Sequence, residues 1–310
     1  MRAIAYDAFG GPDVLQLRDL PDPEVGPDYV LVQVAAAGVN PVDAKVRQGA
    51  LTAAFPHHFP LIPGWDVAGT VVAAGPAADG YAEGDRVIAY ARKDSIAAGT
   101  YGELVACHVR HLAKAPTSVD LEAAAGLPLV GLTAMQALAK LDLQAGETLV
   151  VLNASGGVGS IAVQLAVASG VTVIGVNSAR NDTYVRGLGA ETTLDYSTGP
   201  LPDLLRRVRP DGVDAVVDFV GGDGLAAAPQ LLRAGAEGRF CSIVDPGALE
   251  QGGRYAFVRP EPTQLAELAG LVDAGTVRLE VEQALPLDKA SEAHERVESH
   301  RTRGKLILTV

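Results

Sequence analysis

The hydrophobic and polar positions along the chain change rhythm twice. Up to about residue 116, apolar residues come in short β-forming runs at 29–34, 68–73, 85–90 and 101–107. Turn signals at Pro21-Asp22-Pro23, Gly26-Pro27 and 80–85 separate them. This pattern predicts a β-rich first segment with one short helix over 42–48. Thr117-Ser118-Val119-Asp120 sets a hydroxyl three residues ahead of an acid, the pattern of a capping box. It predicts helical sequence running to Leu141, interrupted at Gly126 and Pro128. From Gly146 strands and helices alternate. The expected strands are 149–152, 171–176, 192–194, 214–219 and 239–244, and the expected helices are 157–169, 182–188, 203–208 and 224–233. Such alternation implies a parallel sheet with right-handed crossovers. Leu265, Leu268, Leu271 and Val272 then form a helical stripe over 264–273, and 305–310 reads as a closing strand.

Composition narrows the class. A chain of 310 residues suggests about two domains, and 48% hydrophobic with 20% charged residues describes a folded protein rather than a disordered one. With 25 basic and 37 acidic residues the net charge is −12. That argues against nucleic acid or an anionic membrane as the main partner, because both demand basic surface. A local basic pocket for a phosphate stays open. The only cysteines, Cys107 and Cys241, sit in no C-x-x-C pair, which excludes a disulfide framework and a four-cysteine zinc lobe. No run approaches the ~20 apolar residues of a membrane span, and the first residues lack the apolar core of a signal peptide. A cytoplasmic protein is expected.

The main chemical signal is VVLNASGGVGSIAVQLA at 150–166. A strand ends at Asn153; Ser155, Gly156, Gly157, Val158 and Gly159 follow, then a helix. Ala154-x-Gly156-x-x-Gly159 is the dinucleotide fingerprint with alanine in the first place. Small residues let the backbone turn tightly and approach a pyrophosphate held on the free N–H groups of the helix. A dinucleotide site for NAD usually places an acid about 20 residues beyond the glycines, on the ribose. Here that segment is Asn177-Ser178-Ala179-Arg180, with no acid. A hydroxyl and a guanidinium, Ser178 and Arg180, suit a 2′-phosphate, so the expected cofactor is NADP(H). There is no G-x-S-x-G elbow and no Walker lysine.

Further motifs are GVNPVDAKVRQG (38–49), PLIPGWDVAGTV (60–71), AAGLPLVGLTAMQAL (124–138), LGAETTLDY (188–196) and RGKLILTV (303–310). With the glycine loop, they give a chain that resembles, over essentially its whole length, the quinone oxidoreductase (zeta-crystallin-like) branch of the medium-chain dehydrogenase/reductase superfamily, the branch without zinc. The resemblance implies an α/β protein in which a doubly wound parallel-sheet (Rossmann) domain at 121–259 is inserted in a β-rich GroES-like catalytic domain at 1–120 and 260–310. The nicotinamide would lie in the cleft between them. By motif position, Asn40 and Asp43 would line the active site. Thr133, Val220, Ser242, Ile243, Phe257 and Val258 would frame the nicotinamide, Tyr196 would lie near the adenosine phosphate, and Gly304-Lys305 would close over the cofactor. Many members carry a tyrosine two residues past the Asp of N-x-x-D; this chain has Lys45, either a carbonyl-polarising group or a surface lysine. Trp65-Asp66 stands where zinc-dependent relatives have a His-Glu pair. Asp66 alone makes a poor zinc site, and the adjacent His57 and His58 seldom converge on one ion. No metal is expected, and Trp65 is either a cleft wall or a core aromatic. His108, His111, His294 and His300 fall in no constellation.

The expected function is NADPH-dependent reduction of a quinone or an α,β-unsaturated carbonyl on a small hydrophobic substrate. The alternatives are a biosynthetic enoyl or ketone reductase and a non-catalytic NADPH-binding structural or sensor protein. The resemblance implies a homodimer in which edge strands of two nucleotide-binding sheets pair, and 239–244, a short apolar strand near that domain's end, is the candidate edge.

Overall fold

In the computed structural model, which describes all 310 residues, the chain forms two compact units. One comprises Met1–Leu129, Pro260–Gly275 and Leu279–Val310; the other comprises Val130–Arg259 and Thr276–Arg278. The chain therefore leaves the first unit at Leu129 rather than at 120.

The first unit is built on a seven-stranded sheet. Along it run Val281–Pro286, Lys305–Thr309, Tyr29–Val39, Asp66–Ala74, Arg86–Tyr90 and Leu112–Lys114, and Leu104–His108 also pairs with Tyr29–Val39. Tyr29–Val39 alternates buried and less buried positions in its first half, as expected of a strand with one face on the core. Val30, Val32 and Val34 meet Val67, Val71, Val87, Val105 and Leu112 there. The strand continues five residues past the expected end because its second half is buried on both faces and shows no alternation. The short helix forms as Pro41–Arg47, with proline at a first-turn position and a capping box between Asn40 and Asp43. The capping box expected at Thr117 does not form. The N–H groups of Thr117 and Ser118 donate to Asp273 instead, and Asp120 precedes the four-residue helix Leu121–Ala124 without a side-chain cap.

The second unit is a six-stranded parallel sheet. Its order is Thr192–Asp195, Thr172–Asn177, Thr148–Leu152, Ala215–Asp218, Phe240–Ser242 and Arg254–Tyr255. Counted in sequence this is 3-2-1-4-5-6, the doubly wound dinucleotide-binding order. The crossover helices are Gly157–Ala168, Asp182–Gly187, Leu201–Val208 and Asp223–Leu231. Arg254–Tyr255 is an addition to the expected strands. Phe240–Ser242 is therefore flanked on both sides, and the edge falls on Arg254–Tyr255. Thr276–Arg278 joins this unit through Gln164, whose amide exchanges two hydrogen bonds with the Arg278 backbone.

Candidate active site

The strand Thr148–Leu152 ends in Asn153, which takes a left-handed φ of 62° and turns the chain sharply. Ala154 follows fully buried, its N–H on the carbonyl of Val176 at 3.0 Å. Gly156 is the N-cap of Gly157–Ala168, and no side chain caps that helix. The first-turn N–H groups of Gly157, Val158 and Gly159 are thus left for an anion by helix geometry. Gly159 packs the helix onto the strand end so closely that a Cβ there would lie 2.1 Å from the carbonyl oxygen of Asn153. Ser155 is buried, and its hydroxyl accepts from Asn181 Nδ2 at 2.9 Å. Asn181 was not legible as a site residue in sequence. It fixes the loop against the end of the neighbouring strand, where Ser178 is half-buried and Arg180 is exposed. Asn177 is buried with its Oδ1 unpartnered.

The remaining expected cofactor residues of this unit fall at or beyond its strand ends and on the helix Pro128–Ala139. Ser242 is fully buried. Its hydroxyl donates to Asp218 at 2.7 Å and accepts from the N–H groups of Val244 and Asp245 at 3.2 Å. Asp218 also accepts from Val220 and Gly221, so one buried carboxylate organises two loops. Val220 and Phe257 are 55% and 50% exposed, while Ile243 and Val258 are half-buried. Thr133 is buried and its hydroxyl has no partner. One turn beyond it, Gln136 exchanges two hydrogen bonds with the Arg259 backbone, which ties the segment of Phe257 and Val258 to this helix. Tyr196 is exposed at the start of a 3₁₀ turn after Thr192–Asp195.

In the β-rich unit the strand register assembles a different cluster. Leu306 pairs with Val39, and Gly38 pairs with Asp66, so Asn40, Asp66 and Lys305 become neighbours. All three are at least 94% buried. The Lys305 ammonium donates to Asn40 Oδ1 at 2.5 Å and to the Val39 carbonyl at 2.8 Å, and lies 3.8 Å from Asp66 Oδ2. Asn40 Nδ2 donates to Asp66 at 2.9 Å, and Asp66 also accepts from the Leu129 N–H at 2.8 Å. The Asn40 amide is occupied at both its ends, by Asp66 and Lys305. One expectation is corrected. Lys305 does not reach toward a cofactor, because the pairing of its strand turns the ammonium into the core of this unit.

Asp43 is buried and accepts from the Asn40 N–H at 2.8 Å and the Tyr101 hydroxyl at 3.2 Å. Lys45 is exposed. Trp65 is buried edge-on against Phe55 and Tyr90, which makes it a core aromatic. Arg47, on the same short helix, is 1% exposed. It holds His294 Nδ1 at 3.0 Å and Glu298 at 2.7 Å, anchoring the helix to Ala290–Glu298.

Burial pushes the Asp43 carboxyl up to about 7, only partly offset by its Asn40 hydrogen bond, and Oδ1 has no partner. A raised folded-state value means stability that is full below the unfolded pKa near 4 and is lost as pH rises to about 7. Burial, reinforced by Arg47, pushes His294 the other way, down to about 3, so it stabilises above the unfolded value near 6.5 and loses this as pH falls. The two slopes oppose each other between pH 4 and 6.5. Asp43→Asn keeps an acceptor for Asn40 and removes one slope. Its stability should climb with pH more steeply than wild type across this window, by up to ~1.4 kcal/mol per pH unit. Urea denaturation at pH 4.5, 5.5 and 6.5 checks this; parallel profiles would contradict it.

No group of three or more His, Cys, Asp or Glu side chains is gathered anywhere in the chain. His57 Nδ1 lies 2.8 Å from the Phe55 carbonyl, and Cys107 and Cys241 are separately buried. The residues present therefore do not fit a zinc centre. No helix is long and apolar enough to cross a membrane.

Residues 26–117 match the family described as alcohol dehydrogenase GroES-like domain, and residues 188–308 match that described as zinc-binding dehydrogenase. An NADPH-dependent alkenal/one oxidoreductase from Arabidopsis thaliana chloroplasts is 34% identical over 99% of this chain and 79% of that protein. The structure of a quinone oxidoreductase from Coxiella burnetii superposes with a TM-score of 0.88 at 31% identity, over 100% of this chain and 99% of the other. The Escherichia coli quinone oxidoreductase complexed with NADPH gives 0.86 at 26% identity, over the full length of both chains. The doubly wound sheet order, the glycine loop and these full-length likenesses agree, and the chain belongs to the medium-chain dehydrogenase/reductase superfamily, in its quinone-oxidoreductase-like branch.

Proposed function

We propose that this protein is an oxidoreductase that uses NADPH to reduce a quinone or an α,β-unsaturated carbonyl, without a catalytic metal. The observation that carries it is the nucleotide loop. An uncapped helix N-terminus, a glycine packed against the strand end, and Ser178 and Arg180 just past the end of the second strand support a cradle for a phosphorylated dinucleotide. The relatives named for NADPH, alkenals and quinones support the same reading.

When bound, NADPH supplies a hydride to an electrophilic carbon. The chain's own residues hold and orient. The N–H groups at Gly157–Gly159 take the pyrophosphate, Ser178 and Arg180 the 2′-phosphate, and Tyr196 flanks the adenosine. The unpartnered Thr133 hydroxyl is a hydrogen-bonding group for the carboxamide end. Val220, Ile243, Phe257 and Val258 supply apolar surface. In the β-rich unit Asp66 and Lys305 are paired internally through Asn40, and water supplies the proton that completes the reduction. Asn40 and Asp43 act as positioning residues for the helix start. A cytoplasmic homodimer is part of this proposal, with Arg254–Tyr255 as the pairing edge, because unpaired edges favour association. A monomeric mass by sedimentation at micromolar concentration would count against it.

NADPH oxidation with a panel of quinones, enones and saturated aldehydes tests the activity, and turnover of saturated aldehydes alone would overturn it. Arg180→Ala should weaken NADPH by about ten- to a hundredfold, as one charge-assisted bond to phosphate is lost. NADH binding should be nearly unchanged; equal losses for both nucleotides would remove the assignment of Arg180.

A further inference from the structure

Besides the buried Asn40 cluster, the β-rich unit has a cavity of about 270 Å³ lined by Arg92, Asp94, Arg110, His111 and Pro260. Strand pairing explains why these residues meet. Arg86–Tyr90 runs antiparallel to Leu112–Lys114, with Ala89 opposite Leu112. Residues just past the end of the first strand therefore lie beside residues just before the start of the second. Two guanidinium groups and an imidazole collect at one spot on a chain whose net charge is −12.

Arg92 is held in place, while the Arg110 side chain is exposed. The Arg92 side chain is 12% exposed, and its guanidinium carbon lies 5.3 Å from the centre of the Phe55 ring. Asp94 approaches Arg92 only to 3.7 Å and is fully exposed, which leaves it a weak counter-charge in water. The turn Val109–His111 is fixed by the Arg110 N–H donating to His108 Nδ1 at 3.1 Å. Burial, and then the positive fields of His108, Arg92 and Lys93, push His111 down to about 4, so it is neutral at pH 7. Its Nδ1 is buried without a hydrogen-bond partner. The cavity thus gathers a buried, unsatisfied imidazole nitrogen with the side chains of two arginines.

We propose that this cavity binds a small oxyanion, a phosphate or carboxylate group, gripped by Arg92 and Arg110 with His111 completing the hydrogen bonds. A guanidinium fork matches the oxygens of either group. The volume exceeds what one such group needs and leaves room for the body of a small molecule carrying it. The site lies in a different unit from the nucleotide loop, and its existence does not depend on the proposed reaction.

Calorimetric titration of inorganic phosphate at constant ionic strength, into protein saturated with NADPH so that the nucleotide loop is filled, tests the proposal. Wild type should bind phosphate. Arg110→Ala should weaken it by about tenfold or more, the loss of one charge-assisted contact. Arg110→Lys should retain part of the affinity. Lys114→Ala, an equal loss of nearby exposed charge, should retain all of it. Absence of phosphate binding, or equal weakening in Arg110→Ala and Lys114→Ala, would overturn the site. A second arm, which rests on the proposed reduction, locates the anion's source. If Arg110→Ala raises KM for a carboxylate-bearing enone but not for its methyl ester, the anion is the far end of a substrate. If KM is unchanged while phosphate binding is lost, it is a free anion.

Discussion

Replacing Lys305 by alanine should cost about 3–5 kcal/mol of folding stability, a large share of the ~5–15 kcal/mol that a folded protein of ordinary stability has. Asp66 is fully buried, and its nearest positive charge is the Lys305 ammonium at 3.8 Å. Without it, burial pushes the Asp66 carboxyl still further above the value of about 6 it has beside the ammonium, only the Asn40 amide and the Leu129 N–H are left to solvate it, and Asn40 Oδ1 loses its donor. An unpaired buried charge is far more costly than a pair is favourable. Lys305→Met, which keeps the apolar stem, should lose nearly as much, because charge rather than volume is missing. Combining it with Asp66→Asn should recover a large part, since neither charge is then stranded. Urea midpoints of the two single variants and the double variant check this. A single variant within 1 kcal/mol of wild type would show that the cluster is not an electrostatic unit.

The second unit was legible because its physics is local. Apolar runs such as 149–152 and 171–176 are buried on both faces, helices lie between them, and the glycine loop sits where strand meets helix. What could not be read there was the sheet's edge. Arg254–Tyr255 is two residues long, with no periodicity to detect. The β-rich unit hid more, because its polar core depends on register. Lys305, Arg47 and His294 are residue types that mostly live at surfaces, and nothing in their neighbours marks them as buried. Only when Leu306 pairs with Val39, and Ala290–Glu298 lies on the short helix, do an ammonium, a guanidinium and an imidazole find partners. The helix Ala290–Glu298 was itself invisible, since its sequence ASEAHERVE has few apolar side chains to form a stripe. Motif position pointed to Asn40, Asp66 and Lys305. It could not say that they face one another.

Gly159→Val should abolish tight nucleotide binding while leaving the β-rich unit folded. A Cβ at Gly159 would stand 2.1 Å from the Asn153 carbonyl oxygen and 2.9 Å from Ala154 Cα, both backbone atoms that cannot rotate away. The helix Gly157–Ala168 must then lift from the strand end, or the turn at Asn153 must open. Either movement re-aims the N–H groups of Gly157 and Val158, whose direction makes the loop an anion cradle. We expect NADPH affinity to fall by roughly a hundredfold or more, the equivalent of ~2.8 kcal/mol. Gly187→Ala is the matched control. It lies in the helix Asp182–Gly187 with nothing within 4 Å of its Cβ position, so it should bind NADPH as wild type does and be at least as stable. Nucleotide fluorescence titration alongside thermal denaturation separates the two effects. If Gly159→Val binds NADPH like the control, the backbone at that turn has more freedom than its packing allows, and the loop is not the phosphate cradle proposed above.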